Sequence, residues 1–310
     1  MNSKHTLVIG TRGSALALAQ ANMVRVALSA RYPGLEVRCE IIHTIGDHRT
    51  DVPLADVARV SGIVDKGIFI KELEIALLDG RIDVAVHSLK DVPSELSQDF
   101  KLAAVLPRAV VEDVLVTKER EWNGSGILAT GSVRRRLMAR SYWGETLRFE
   151  DLRGNVPTRL SKLVNHPDWE AVILARAGLE RLGLYAEESL VEGKKLYMSP
   201  LPTEVFVPAV GQGIVGMECR SSDRETVAIL EGINDAEALA CAQAERAFLV
   251  HLGASCSTPV GVYACLEGDE LVLRAAYYES ENAKPLTVLV RGNKNEPEEL
   301  GFRAFKKLRA

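Results

Sequence analysis

Seven arginines, Arg134, Arg135, Arg136, Arg140, Arg148, Arg153 and Arg159, stand between Thr130 and Arg159 with no lysine and only three acids, in a chain whose net charge is -4. A guanidinium is always charged, is planar, and presents a fork of donors that matches a carboxylate or phosphate at two points. Arginine used without lysine therefore points to fixed, oriented oxyanions. A solvated helix face would mix lysine with glutamate, and too few acids lie nearby in sequence to pair the whole set. Two other residues could do chemistry. Asp91, in Lys90-Asp91-Val92-Pro93, reads alone as a turn or cap residue. Surrounded by arginines, its carboxylate could stay ionised and stabilise a developing cation, by about 4 kcal/mol per close pair at an effective dielectric of roughly 20. Cys256 lies in a loop of small residues, Gly253 to Gly261, that favours access to the sulfur. No histidine base stands by it, which argues against a cysteine protease. Cys39, Cys219, Cys241 and Cys265 have apolar or helical settings and read as packing residues.

These residues need elements to hold them. Leu7 to Gly10 is a short apolar run, Thr11-Arg12-Gly13-Ser14 a turn, and Ala15 to Leu28 an apolar helical pattern, which together predict strand, tight turn and helix. Leu35 to His43 reads as the next strand, Ile68 to Leu78 as a helix closed by Gly80, and Ile82 to Val86 as a buried strand running into His87-Ser88-Leu89-Lys90-Asp91. Alternating strands and helices imply a largely parallel sheet with ligand sites at the strand C-termini, where Arg12, Ser14, Lys90 and Asp91 fall. The pattern repeats after Pro107. Strands at Val114 to Thr117, Ile127 to Ala129, Leu147 to Phe149 and Ala171 to Ala175 alternate with helices from Arg134, Thr158 and Ala177. Gly131-Ser132 precedes the first of these helices, so Ser132 can cap it while free backbone N–H groups face the same anion as Arg134 and Arg135. Arg153 and Arg159 follow the next strand in the same topological place. Pro200 to Pro208 reads as a connector and Pro208 to Gly213 as a glycine-bracketed turn with a structural role. A long helix, Ala236 to Leu252, three alternating strands and a helix from Pro297 complete a smaller α+β unit.

The expected architecture is thus α/β, with domain 1 at 1–109 together with 212–231, an arginine-rich domain 2 at 110–207, and a third, α+β domain at 236–310 that carries Cys256. At 310 residues and 33.9 kDa the chain is long enough for two or three domains. A hydrophobic fraction of 47% with 26% charged residues is that of an ordinary globular protein. The pI near 6.0 argues against a general nucleic-acid binder, so the arginines are a site and not a bulk property. Five cysteines, odd in number and without a CxxC or histidines at zinc spacing, make a disulfide framework or a metal site an unfavoured reading. The N-terminus offers no apolar signal segment and no stretch approaches 18 apolar residues, so a cytoplasmic protein without a membrane or nucleic-acid partner is expected.

Taken together the segments closely resemble the porphobilinogen deaminase family, also called hydroxymethylbilane synthases. The resemblance runs through Thr11 to Ala17, Thr44 to Asp47, Lys66 to Glu74, Val86 to Pro93, Gly131 to Arg135, Leu152 to Arg159, Ala177 to Gly183, Pro208 to Gly213 and Cys256 to Gly261. It implies two α/β domains like those of periplasmic binding proteins around a cleft, followed by the smaller α+β domain. It also implies a transferase that deaminates four porphobilinogen molecules and joins them head to tail into linear hydroxymethylbilane, for tetrapyrrole and heme biosynthesis. Growth would start from a dipyrromethane cofactor held by a thioether to Cys256. Each pyrrole carries an acetate and a propionate, which is the kind of ligand an arginine-only cleft would hold. Residue by residue, the resemblance puts Arg134, Arg135 and Arg159 on cofactor and substrate carboxylates, joined by Arg12, Arg153 and Arg181, with Ser14, Lys90 and Ser132 as hydrogen-bond donors. Asp91 takes the catalytic role, stabilising the azafulvenium-like cation formed as ammonia leaves. Arg136 and Arg176 are not carried over, and Arg140 and Arg148 keep the reading of surface or structural residues. The family implies a monomer.

Three departures stand out. Leu54 to Lys66 lacks the Gly-Gly usual before Lys-Gly, which implies a differently shaped lid; Ala254-Ser255 replaces a glycine pair; and the last helix stops at Ala310, which would make a shorter third domain. The competing reading is a two-lobed binding or sensing protein for a multiply anionic small molecule. The third unit with Cys256 counts against it.

Overall fold

The computed structural model describes residues 4–44, 70–254, 258–281 and 283–310. The first unit runs β1 (Thr6–Thr11), α1 (Ala15–Arg31), β2 (Glu36–Ile41), α2 (Lys71–Leu78), β3 (Val84–Ser88) and β4 (Phe100–Val105). The second runs β5 (Asp113–Thr117), β6 (Ile127–Ala129), α3 (Val133–Trp143), β7 (Arg148–Glu150), α4 (Val156–Asn165), β8 (Trp169–Ala175), α5 (Arg176–Arg181), β9 (Glu188–Val191) and β10 (Lys194–Pro200). The chain then returns to the first sheet as β11 (Val215–Arg220) and α6 (Arg224–Glu231), and ends in α7 (Ala236–Leu252), β12 (Val260–Glu267), β13 (Glu270–Tyr277), β14 (Leu286–Asn293) and α8 (Pro297–Arg309).

The first sheet has the order β2-β1-β3-β11-β4, the second β7-β6-β8-β5-β10-β9, and the third β12-β13-β14. Two α/β units and a smaller α+β unit are therefore present, as the sequence leads one to expect. The expectation of largely parallel sheets needs correction. β1 lies parallel to β2 and β3, and β6 to β7 and β8, but β11 runs antiparallel between β3 and β4, and β5, β8, β9 and β10 pair antiparallel. The cause is the returning chain. A strand arriving from the second unit enters the first sheet from the opposite end, and no crossover helix turns it round.

The two segments crossing between the units are joined to each other. Ala109 N–H donates to the Gly213 carbonyl at 3.1 Å and Leu106 N–H to the Val215 carbonyl at 3.0 Å. Gly213 is required there, because its φ is +86° and a Cβ would come within 2.7 Å of the Ala109 carbonyl oxygen. The third unit is fastened to the same place. Glu245 of α7, wholly buried, accepts from Gly211 N–H at 2.7 Å, from Ala264 N–H at 2.8 Å and from Arg108 at 2.5 Å. Val262 N–H donates to the Pro208 carbonyl at 2.9 Å.

Each unit has its own apolar core. Leu7, Ile9, Val24, Leu28, Val84, Met217 and Leu230 fill the space between the first sheet and its helices. Val114, Val116, Leu160, Leu163, Val172 and Leu196 do so in the second, and Phe248, Val262, Leu273, Leu300 and Ala304 in the third. These cores fix the strand ends rigidly, and the candidate site is built on those ends.

Candidate active site

β3 ends at Ser88, and the chain tightens at once into a single 3-10 turn, Leu89–Asp91, whose Leu89 is buried at 1% exposure. That apolar anchor leaves Lys90 and Asp91 exposed at the strand C-terminus. Beside them, α1 begins after β1, capped by Ser14, whose Oγ accepts from Ala17 N–H at 3.3 Å. Arg12, Ser14, Gln20, Ser88 and Asp91 line one crevice. Gln20 donates to Ser88 Oγ at 2.8 Å, tying the helix to the strand that carries Asp91.

The second unit supplies the cations. Ser132 caps α3 by accepting from Arg135 N–H at 3.4 Å, and Asn155 caps α4 by accepting from Thr158 N–H at 2.9 Å. Arg134 and Arg135 sit in the first turn of α3, each 6% exposed. Arg159 Nε donates to the Gly154 carbonyl at 2.6 Å, which turns its guanidinium back over the loop that bears Arg153. Arg181, at the end of α5, donates to the Gly213 carbonyl at 2.7 Å.

Electrostatics shows which of these groups share a site. The Lys90 ammonium is pushed down to about 8, first by crowding from the cleft walls, then by Arg135 and Arg159, with Asp91 and Asp113 opposing. Its side chain still reaches solvent, so the crowding is that of a cleft wall and not of full enclosure. Arg159 is pushed down to about 10 by burial, Arg135 and Arg153, with Asp91 opposing. Lys90 of the first unit thus lies in the field of Arg135 and Arg159 of the second, and Asp91 in that of Arg159. Burial likewise lowers Arg181, whose Nε is buried without a hydrogen-bond partner among the described residues. Positive charge exceeds negative charge here, and an anion would relieve the excess.

One inference from the sequence is overturned. The scarcity of acids between Thr130 and Arg159 does not leave Arg134 and Arg135 without counter-charge. Asp113, wholly buried at the head of β5, accepts from both at 2.7 Å. Arg134 also donates to the Val207 carbonyl at 2.7 Å, and so faces the connector. Asp113 was missed because its partners lie more than 20 residues away along the chain, and only the antiparallel pairing of β5 with β8 brings it under α3. Gln212, in the turn that looked merely structural, donates to Asp113 at 3.0 Å. Arg136 pairs with Asp151 at 3.0 Å, Arg176 with Glu180 at 2.8 Å, and Arg148 is exposed. Cys256 and the 54–66 segment lie outside the described residues, as does most of the Thr44 to Asp47 motif and of Lys66 to Glu74 up to Phe69. Cys256 is flanked by Ala254, which follows the left-handed Gly253 that ends α7, and by Thr258, which leads into β12. Among the described residues no group of histidine, cysteine, aspartate or glutamate could hold a metal ion, and no helix is long and apolar enough to cross a membrane.

Two α/β units that bring one carboxylate and a cluster of cations together at their strand ends, with an α+β unit fastened where the chain crosses between them, define a two-lobed protein with a site for a multiply anionic group. The comparisons make the class specific. The family model described as "Porphobilinogen deaminase, dipyromethane cofactor binding domain" matches residues 7–228, and that of the porphobilinogen deaminase C-terminal domain matches 239–310. The porphobilinogen deaminase of Roseiflexus sp. (strain RS-1) is 43% identical over 303 residues, covering 96% of this chain and 94% of its own. That of Bordetella parapertussis is 40% identical over 315 residues, covering 100% and 95%. The chain belongs to the porphobilinogen deaminase family. The simple binding-protein reading is not favoured.

The residues present fit a dipyrromethane. Carboxylates are the natural partners of Arg135, whose Nε is buried without a hydrogen-bond partner among the described residues, and of the crowded Lys90 and Arg159.

Proposed function

We propose that this chain is a transferase that deaminates four porphobilinogen molecules and joins them head to tail into linear hydroxymethylbilane, releasing ammonia and elongating on a dipyrromethane bound to Cys256. The observation that carries the reading is one exposed carboxylate, Asp91, in a crevice with Arg12 and Ser14 and in the field of Lys90 and Arg159. Bound through a thioether, the dipyrromethane would supply the pyrrole terminus that accepts each new unit. In this reading Ser14, Lys90, Ser132, Arg134, Arg135 and Arg159 hold the acetate and propionate groups of the cofactor and of the substrate joined to it, and Arg12, Arg153 and Arg181 help to bind the incoming substrate. Arg12 shares its crevice with Asp91, which supports placing the substrate there. Asp91 sets its negative charge against the positive charge that develops as ammonia departs from the porphobilinogen aminomethyl carbon. A charge already fixed at that place needs no reorganisation at the moment of reaction.

The domain division 1–109 with 212–231, 110–207 and 236–310 belongs to the same reading, as do a monomeric state and a cytoplasmic setting. Intact-protein mass spectrometry tests the function. Protein purified from a cell that makes porphobilinogen is expected to carry an adduct of two pyrrole units and to gain further pyrrole units on brief exposure to substrate. An unmodified mass, with no hydroxymethylbilane formed, would overturn it.

A further inference from the structure

Asp113 is a wholly buried carboxylate that the reaction, as described, does not use. Its two oxygens receive three donors: Oδ2 accepts from Arg134 Nη2 at 2.7 Å, and Oδ1 from Arg135 Nη2 at 2.7 Å and Gln212 Nε2 at 3.0 Å. Gln212 also donates to the Val111 carbonyl at 2.7 Å, so the turn on one crossing segment is bound to the other crossing segment and to the carboxylate together. Arg135 has its second terminal nitrogen fixed by the Ile173 carbonyl at 2.8 Å. With both ends of the fork held, the guanidinium plane is set, and the buried Nε is the nitrogen left without a hydrogen bond among the described residues.

We propose that Asp113 is a positioning residue for the reaction: it sets the plane of the Arg135 guanidinium and with it the place of positive charge offered to the anionic ligand, and through Gln212 it links that group to the segments crossing between the two α/β units. The charge count favours this over a purely structural ion pair. One carboxylate beneath two guanidinium groups neutralises half their charge, which lets both be buried while leaving a net positive charge toward the cleft. Asp113 also reaches Lys90 of the first unit, whose charge it favours while Arg135 opposes it. A structural pair would need one arginine and no contact with a crossing segment. A buried pair is in any case weak grounds for stability, because apolar replacements of equal volume often serve as well. Preorganisation of a fork for carboxylates is a stronger reason for the cost of burial.

The inference rests on the functional reading above, and the test separates the two. Asp113→Asn keeps the volume and removes the charge. The adduct on the purified protein is read by intact mass, folding by circular dichroism, and KM and kcat with porphobilinogen. Partial loss of the two-pyrrole adduct is expected, with KM for the loaded fraction raised roughly tenfold or more, since small misplacement of a binding group has large effects. Asp113→Glu should restore part of the loading. Full loading with wild-type KM in Asp113→Asn, whatever its melting temperature, would overturn the proposal. Should Asp113→Asn not fold, Gln212→Ala leaves every charge in place and is expected to raise KM about threefold with kcat little changed. An unaltered KM there would overturn it equally. If the wild-type protein carries no adduct and forms no product, the functional reading itself fails, irrespective of either variant.

Discussion

Nε2 of His87 lies 2.9 Å from Oε2 of Glu218, with side chains 4% and 0% exposed, on adjacent antiparallel strands directly beneath the turn that carries Asp91. The second oxygen of Glu218 is buried without a hydrogen-bond partner among the described residues, and burial, then Glu218, raises the carboxyl of nearby Glu74. A polar pair so deep in β3 and β11 holds together the two strands that meet at the turn carrying Asp91.

Glu218→Ala should therefore be costly. It leaves His87 Nε2 buried without its acceptor and opens a void, for a loss of about 2–4 kcal/mol. Glu218→Gln keeps an acceptor and should lose about 1 kcal/mol. Denaturant unfolding of both variants, with slopes compared, measures the difference. An Ala variant within about 0.5 kcal/mol of wild type would show that the pair does not hold the strands.

Gly213→Ala tests the crossing segments. The position has φ +86° and an added Cβ would meet the Ala109 carbonyl at 2.7 Å, so backbone strain and a clash with backbone act together. Destabilisation of roughly 1–3 kcal/mol is expected, larger than for the same change at an unstrained site. Gly34, with ordinary φ and nothing within 4 Å, is the control. Equal melting temperatures for the two alanine variants would contradict the packing described.

Much of this was legible in the sequence, for physical reasons that can be named. Helix α7 covers Ala236–Leu252, the expected span, because Asp235 caps it, accepting from Ala238 N–H at 2.7 Å, and Gly253 ends it in the left-handed region. The turn carrying Asp91 was legible because the apolar run Val84 to Val86 gives way to His87-Ser88-Leu89-Lys90-Asp91, in which Leu89 alone is apolar. β11 and β4 were not recognised, since the two pair with each other across more than 100 residues of intervening chain, a partnership that no local pattern in Phe100–Val105 or Val215–Arg220 signals. Asp113 was invisible for the same reason. Counting acids near Arg134 and Arg135 measures sequence distance, whereas the ion pairs depend on which strand lies under α3.

Asp91→Ala should abolish turnover while leaving most of the two-pyrrole adduct in place, because in the proposed roles Asp91 acts on developing charge and the cations that would hold carboxylates remain. Cys256→Ser should prevent stable attachment of the adduct. Both are read by intact mass together with hydroxymethylbilane formation. Normal turnover in either variant would contradict the roles assigned.

Arg135→His separates binding from chemistry. Histidine is short and mostly uncharged at neutral pH, so the fork held between Asp113 and the Ile173 carbonyl is lost and Asp113 keeps Arg134 and Gln212 alone. Loss of adduct assembly is expected. A mass profile with full loading and normal elongation would remove Arg135 from the binding set.

Lys90 makes the pH dependence of substrate binding specific. Its ammonium is pushed down to about 8, so the charge it offers a carboxylate is present below that pH and fades as pH rises through it. The same shift acts on folding with the opposite sign. An unfolded lysine titrates near about 10.4, so the charged form opposes folding at pH below 8, and that opposition is relieved between about 8 and 10.4. A bound carboxylate removes the opposition by pairing with the ammonium, which raises its affinity for protons. Binding near pH 8–9 should then take up protons, and calorimetry in buffers of different ionisation enthalpy measures the uptake. KM for porphobilinogen should rise on the alkaline side of about pH 8 in the wild type, and this limb should move above pH 10 in Lys90→Arg, whose guanidinium stays charged. Because the substrate's own amine titrates equally in both proteins, an unchanged limb in the variant would assign the alkaline loss to the substrate and take Lys90 out of the binding set.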